Sequence, residues 1–314
     1  MKILVSGVAS DIGHSIGNLL SKSDLVDVVA GCDIHSQFYG ADIFESLHLL
    51  PRASDPSYVS ELRNLIKEQK IDAFIPTSEQ EIRFFMSNML AKDQIGTICV
   101  APNQFAMEIG FDKLKTSEYL KSIGCLYPST QPIAEAVEPL NLPYVVKDPT
   151  GSGSASVFIV DKPNCLNFYK QLFPHFICQE FLEGSDEYTC GVYQTYDDSV
   201  RVISLKRRLA SGVTVFAEVV DNPAITSLCE KLAHSMGLRG SINIQLKLTP
   251  RGPIIFEINP RFSSSVGMRN LIGYSDVLWS LQEQVLGVKP SHYTPKKEAK
   301  FLYRRYIENI AQYV

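Results

Sequence analysis

Over the first hundred residues, short apolar runs alternate with stretches whose apolar positions recur every three to four residues. Residues 2–7 (Lys-Ile-Leu-Val-Ser-Gly) read as a strand. A turn from Gly7 to Gly13 follows, then an amphipathic helical run over 15–20. Residues 26–32, ending at Asp33, and residues 71–75 and 97–100 read as further strands, with helices over 58–70 and 80–90. Strand, glycine-containing turn and helix in alternation predict a doubly wound α/β unit with a parallel sheet.

From residue 112 the pattern changes. Residues 112–124 read as a helix stopped by Gly124, with Pro128 and Pro132 marking a linker. Strands are expected over 144–147, 156–160, 176–180, 188–196 and 199–209, the last two joined at Asp197-Asp198. Helices fit 164–172 and 223–236, so this half reads as α+β.

Composition narrows the class only a little. At 314 residues there is room for two or three domains, and a hydrophobic content of 45% with 20% charge suits a globular protein. A formal charge of −4 gives no electrostatic reason to expect nucleic acid. The seven cysteines form no CxxC pair, which points to reduced thiols and a cytoplasmic setting. No apolar run approaches the roughly 18 residues of a membrane span, and no signal-peptide cleavage pattern is seen.

The chemistry concentrates near the C-terminus, in Ile254-Ile-Phe-Glu-Ile-Asn-Pro-Arg-Phe-Ser263. Glu257 and Asn259, two apart in a strand, point to one face and offer hard oxygens suited to Mg²⁺. Pro260 ends the strand, and Arg261 supplies a planar cation suited to phosphate. Residues 241–248 read as a second strand, and Thr249-Pro-Arg-Gly-Pro253 as the turn of a hairpin. Its register would set Asn243 and Gln245 beside Glu257 and Asn259.

Upstream, Lys147 stands at a strand end before Asp-Pro-Thr-Gly151-Ser152-Gly153-Ser154, a small-residue loop whose N–H groups could approach a phosphate. It lacks the GK[ST] of a P-loop. Glu180-Phe181-Leu182-Glu183-Gly184 ends a strand in an acidic turn whose backbone could meet an adenine edge, with Glu187 on the strand beyond. The spacing from Gly7 through Gly13 to Gly17 is not GxGxxG, so a dinucleotide enzyme rests only on that turn and Asp33. The six histidines show no ligand spacing.

In this order, Asp112-Lys113, Lys147 with its Gly/Ser loop, Glu180–Gly184, Asn243-x-Gln245 and Glu257-x-Asn259-Pro-Arg261 resemble the ATP-grasp superfamily. The nearest likeness is to a half of the carbamoyl-phosphate synthase large subunit and to related small carboxylate–amine ligases. Residues 1 to about 288 are covered, because Gly7, Asp33, Ala41-Asp42 and Ile75-Pro-Thr77 with Glu79 and Glu81 resemble that family's pre-ATP-grasp domain. The resemblance implies a Rossmann-like domain at 1–110, an ATP-grasp subdomain with the lid at 111–185, and a second subdomain at 186–314.

By the same resemblance, Lys113 and Lys147 hold ATP phosphates under a lid at 150–156. Glu180, Phe181 and Leu182 form the adenine hinge, Glu183 meets the ribose, and Glu187 and Asn243 lie on the nucleotide side. Gln245, Glu257 and Asn259 ligate Mg²⁺, with Mn²⁺ as the alternative, and Arg261 stabilises the phosphate in transfer. Arg207 or Arg208 faces the acyl phosphate. The lid departs from the family pattern at Ser156, and Asp148 stands where proline is common.

The implied activity is ADP-forming ligation of a small-molecule carboxylate, a metabolite or an activated sugar acid, to an amine or thiol. The partners implied are small molecules, without nucleic acid or membrane, and a homodimer is a family-level expectation. The alternatives are a carbamoyl-phosphate-synthase-like subunit ending at an acyl or carboxyphosphate, and a non-catalytic ATP-binding regulatory protein. On the acceptor side, Ser263–Ser265 either bind carboxylate oxygens or cap a helix beginning near Val266. Arg269 reads as either a substrate-carboxylate partner or a surface arginine.

Overall fold

The computed structural model describes residues 1–36, 42–87, 95–137, 140–151, 156–184, 186–210, 212–293 and 301–304. Three sheets follow one another along the chain. The first holds β1 (Lys2–Ser6), β2 (Val28–Asp33), β3 (Ser46–Leu49), β4 (Ala73–Ile75) and β5 (Ile98–Cys99), all parallel, in the order β3-β2-β1-β4-β5. Its strands are near-continuous apolar runs because helices cover both faces. Helix α1 (Asp11–Leu20) packs Ile16, Leu19 and Leu20 on one side, and α2 (Tyr58–Gln69) packs Tyr58, Leu62 and Ile66 on the other. Helix α3 (Glu79–Ser87) follows β4.

The turn between β1 and α1 needs glycine twice. Gly7 has φ +60°, a region that disfavours side chains, and a Cβ on Gly13 would lie 2.3 Å from the Gly7 carbonyl oxygen. Ser10 caps α1 by accepting from the Gly13 N–H.

The second sheet is antiparallel, β6 (Thr130–Pro132), β9 (Ile177–Glu180), β7 (Tyr144–Lys147) and β8 (Val157–Val160), in that spatial order. The third, also antiparallel, runs β14-β13-β10-β11-β12-β15. It comprises β10 (Glu187–Gln194), β11 (Val200–Ala210), β12 (Val213–Val220), β13 (Gly240–Thr249), β14 (Gly252–Asn259) and β15 (Phe301–Tyr303). Helix Pro223–Met236 covers one face of this sheet through Ile225, Cys229, Leu232 and Met236, the largest core of the molecule.

Parallel sheet first and antiparallel sheets after is the order that the polar–apolar pattern predicts. Described elements that were not expected include β3, β6, β12 and the short helices Gln104–Gly110 and Asp276–Ser280. Near the C-terminus residues 301–304 are described, and there β15 pairs with β12. Ala41, the end of the 80–90 helix, and Ser152, Gly153 and Ser154 lie outside the described residues.

Candidate active site

A cleft of about 560 Å³ lies between the two antiparallel sheets and reaches the start of α1. Its floor is the β13–β14 hairpin. The register pairs Asn243 with Asn259 and Gln245 with Glu257, so all four side chains reach the cleft. The pairing then slips by one residue between Gln245 and Leu246. The extra residue is Phe256, and the bulge turns both it and Glu257 towards the cleft.

Cations gather around Glu257. Lys113, in the first turn of helix Lys113–Ser122, holds its ammonium 4.0 Å from the Glu257 carboxylate and donates to the Gly151 carbonyl at 2.5 Å. Asp112 caps that helix through the N–H groups of Leu114 and Lys115. Lys147 ends β7 and is only 6% exposed. Burial pulls its pKa down to about 8; Glu257 opposes that shift and Lys113 adds to it. Arg261 donates to Asn259 Oδ1 at 3.1 Å, and burial lowers its pKa as well.

The two arginines left open by the sequence separate cleanly. Arg207 lines the cleft and is held by Glu187 across β10 and β11. Arg208, one residue on, is exposed and stacks over the Phe216 ring at 4.5 Å. Of the two, Arg207 alone is in the cleft lining.

At the hinge, Glu180, Phe181 and Leu182 all line the cleft, with the Glu180 carboxylate engaged by Arg251 and by the Ser129 N–H. Glu183 is exposed and lies in a neighbouring hollow with Ser129 and Arg251, so it stands outside the cleft. Lys247, which sequence reasoning missed, donates to the carbonyls of Leu182 (2.9 Å) and Gly184 (3.1 Å) above the Phe181 ring. The alternation that singles out Asn243 and Gln245 puts Lys247 on the same face, so the signal was there. Val157, Ile159 and Leu209 expose apolar surface to the cleft, and with Val145 and Phe256 they form a slot suited to a planar ring.

Two further readings change. Arg269 is wholly buried, neither on the surface nor facing a substrate. It donates to Asn243 Oδ1 at 2.6 Å, and Thr189 donates to the same oxygen at 2.7 Å. That leaves the Asn243 amide as a donor towards the cleft, unsuited to a cation. Ser263 lines the cleft and bonds Ser265 at 3.0 Å, while Ser265 makes no side-chain cap bond to helix Val266–Leu271. The dinucleotide alternative also loses ground. Asp33 accepts from the N–H groups of Ala9 (2.9 Å) and His35 (3.0 Å), so its carboxylate fills the turn that a pyrophosphate would need.

The donor set decides whether Mg²⁺ suits this cleft. Among the described residues no three His, Cys, Asp or Glu side chains converge. One carboxylate (Glu257) and two amide oxygens (Gln245, and Asn259 with one lone pair already given to Arg261) suit a cation that takes its remaining ligands from phosphate and water. Asn259 Nδ2 is buried without a partner among the described residues, a donor that a phosphate oxygen would satisfy. The residues fit a cation arriving with its nucleotide.

The family model described as ATP-grasp in the biosynthetic pathway with Ter operon matches residues 172–307. Residues 172–307, less than half of the chain, thus match an ATP-grasp domain. A carbamoyl-phosphate synthase of Methanobrevibacter smithii is 25% identical over 154 residues, 46% of this chain and 40% of the relative. A 3-methyl-D-ornithine–L-lysine ligase of Methanosarcina barkeri is 25% identical over 201 residues, 62% of this chain and 51% of the relative. The chain thus spans about half or less of these relatives. Among solved structures, the biotin carboxylase domain of Hydrogenobacter thermophilus 2-oxoglutarate carboxylase, in complex with MgADP and bicarbonate, superposes with TM-score 0.71. That match has 16% identity and covers 93% of this chain and 71% of that one. The ATP-grasp match takes in β10–β14 and β15, hence Gln245, Glu257, Asn259 and Arg261; Lys113 and Lys147 lie upstream of it.

Proposed function

We propose that the protein is an ADP-forming ligase that activates a small carboxylate as an acyl phosphate and joins it to an amine. A carboxylate oxygen attacks the γ-phosphorus of ATP and the bond to ADP breaks. The amine then attacks the acyl carbon, the carbon–oxygen bond to phosphate breaks, phosphate leaves, and the amine gives up a proton. The observation that carries the reading is the convergence of Lys113, Lys147, Arg207 and Arg261 with Glu257, Gln245 and Asn259 in one cleft. Phosphoryl transfer asks for positioning and charge neutralisation, which this set supplies without a protein nucleophile.

In this reading Lys113, Lys147 and the Asn243 amide bind the phosphates under the lid at 150–156, and the apolar slot by Phe181 and Leu182 takes the adenine. Glu257, Asn259 and Gln245 hold Mg²⁺, which when bound draws charge from the transferring phosphoryl group. Arg261 and Arg207 face the reacting carboxylate. The boundaries 1–110, 111–185 and 186–314, a cytoplasmic setting for the seven free thiols, and a homodimer belong to the same proposal.

The likeness to a carbamoyl-phosphate synthase keeps a second reading in view, a subunit that phosphorylates bicarbonate or an acid for a partner. One experiment separates the two: ADP and phosphate release from the purified protein with Mg·ATP, across pools of carboxylates and of amines. The ligase reading expects release that needs one acid and one amine, and its loss in Glu257→Ala. Release with bicarbonate alone would favour the second reading. Turnover that survives Glu257→Ala would overturn the assignment of the cation seat.

A further inference from the structure

A second cavity, about 600 Å³, opens at the carboxyl ends of β1, β2, β3 and β4, and among the described residues Ser10 alone borders both it and the cleft. Its position has a topological cause. From β1 the chain goes to β2 and β3 on one side, whereas β4 and β5 lie on the other, so the loops after β1 and β4 diverge. Such a switch point opens a crevice where open α/β sheets hold ligands.

The lining is graded in character. Inside stand two carboxyl groups, Asp33 and Glu81, only 7% and 6% exposed. Glu81 receives the hydroxyls of Ser6 and Tyr58, and burial raises its pKa to about 7, whereas Asp33 accepts the backbone N–H groups of Ala9 and His35. The walls are apolar and aromatic: Leu50, Pro51, Tyr58 and Phe84, the last two in edge-to-face contact at 5.6 Å. At the rim stands the exposed cation of Arg52. Arg83 also borders the cavity, but its guanidinium is committed to Glu79 and to the carbonyls of Phe111 (2.6 Å) and Thr150 (3.0 Å).

We infer that this cavity is a binding site for a free, zwitterionic α-amino acid, with its ammonium on Asp33, its carboxylate on Arg52 and its side chain against Tyr58 and Phe84. An acidic interior, a basic rim and an apolar wall suit a small molecule that carries an ammonium, a carboxylate and an apolar body. The inference stands apart from the ligase reading, because binding here is measured without turnover. Arg83 gives such a ligand a physical route to the cleft, since the Thr150 carbonyl it holds adjoins Gly151, the acceptor of Lys113.

The test is calorimetric titration of the proteinogenic L-amino acids, one at a time, into the full chain, with and without a non-hydrolysable Mg·ATP analogue. At least one is expected to bind, and Asp33→Asn and Arg52→Ala are each expected to weaken it by roughly tenfold or more, the loss of a charge-assisted hydrogen bond. Both variants should bind the ATP analogue as the parent does. Asp33 also receives two backbone N–H groups, so thermal unfolding checks that variant, and the exposed Arg52 decides should it fail to fold. Failure of every amino acid to bind, or binding that Arg52→Ala leaves unchanged, would overturn the inference. If the bound amino acid is recovered in a product during ATP turnover, it is the nucleophile; if it is unconsumed and shifts analogue affinity, it is an effector.

Discussion

At the residue scale, Lys147 carries the sharpest consequence. A lysine whose pKa falls from 10.5 to about 8 on folding binds fewer protons folded than unfolded between those values. Its contribution to stability therefore rises with pH from about 8 towards 10.5 and is lost as pH falls through 8. Phosphate beside it favours the charged form, so nucleotide binding above pH 8 is expected to take up a proton and weaken by up to about tenfold per pH unit. Calorimetry of an ATP analogue in two buffers of different ionisation enthalpy measures that uptake, which Lys147→Met should abolish. Asn243 shows where the sequence stops being legible at this scale. Its pairing with Asn259 follows from alternation and a short turn, both local. That its oxygen is spent on Arg269, twenty-six positions away, depends on tertiary packing that no local pattern encodes.

At the scale of elements, the bulge in β14 does what strict alternation could not. Phe256 and Glu257 are consecutive, yet both face the cleft, one as wall and one as charge. Phe256→Ala should weaken nucleotide binding by about 1–2 kcal/mol through lost apolar contact, with little change in the unfolding midpoint, since the ring is only half-buried. Calorimetry and thermal unfolding on the same variant check both halves. Long or strictly periodic elements were legible: helix Pro223–Met236 has Asn222 as its cap, proline at its start and Gly237 at its end, and was read to the residue. Strand β12 was not, because Val213, Val215, Phe216 and Val219 put apolar residues on both faces and erase the period of two. Helix Gln104–Gly110 is too short for a period to show.

At the scale of the whole molecule, the cleft is a joint product of distant segments. Arg304, just beyond β15, donates to Asp11 at the start of α1 (2.8 Å) and to the Ser264 carbonyl (2.6 Å), joining the parallel-sheet part to the loop after β14. Asp11 and Ser264 both line the cleft. The pair is partly exposed, so Arg304→Ala should lower stability by only about 1 kcal/mol. Under the proposed ligase activity, amine-dependent turnover should suffer more than nucleotide affinity, because the loosened wall is the one opposite the hinge. Denaturant unfolding and steady-state kinetics on that variant separate the two effects, and equal losses in both would contradict this view of the wall.

The Arg304–Asp11 link also orders events in time. The two residues are 293 positions apart, so at about 5–20 residues per second Arg304 leaves the ribosome roughly 15–60 s after Asp11. The parallel sheet, complete by Cys99, can fold long before then. A nascent chain could thus already present the amino-terminal cavity while one wall of the cleft had yet to be made, and small molecules would meet the first site well before the second existed.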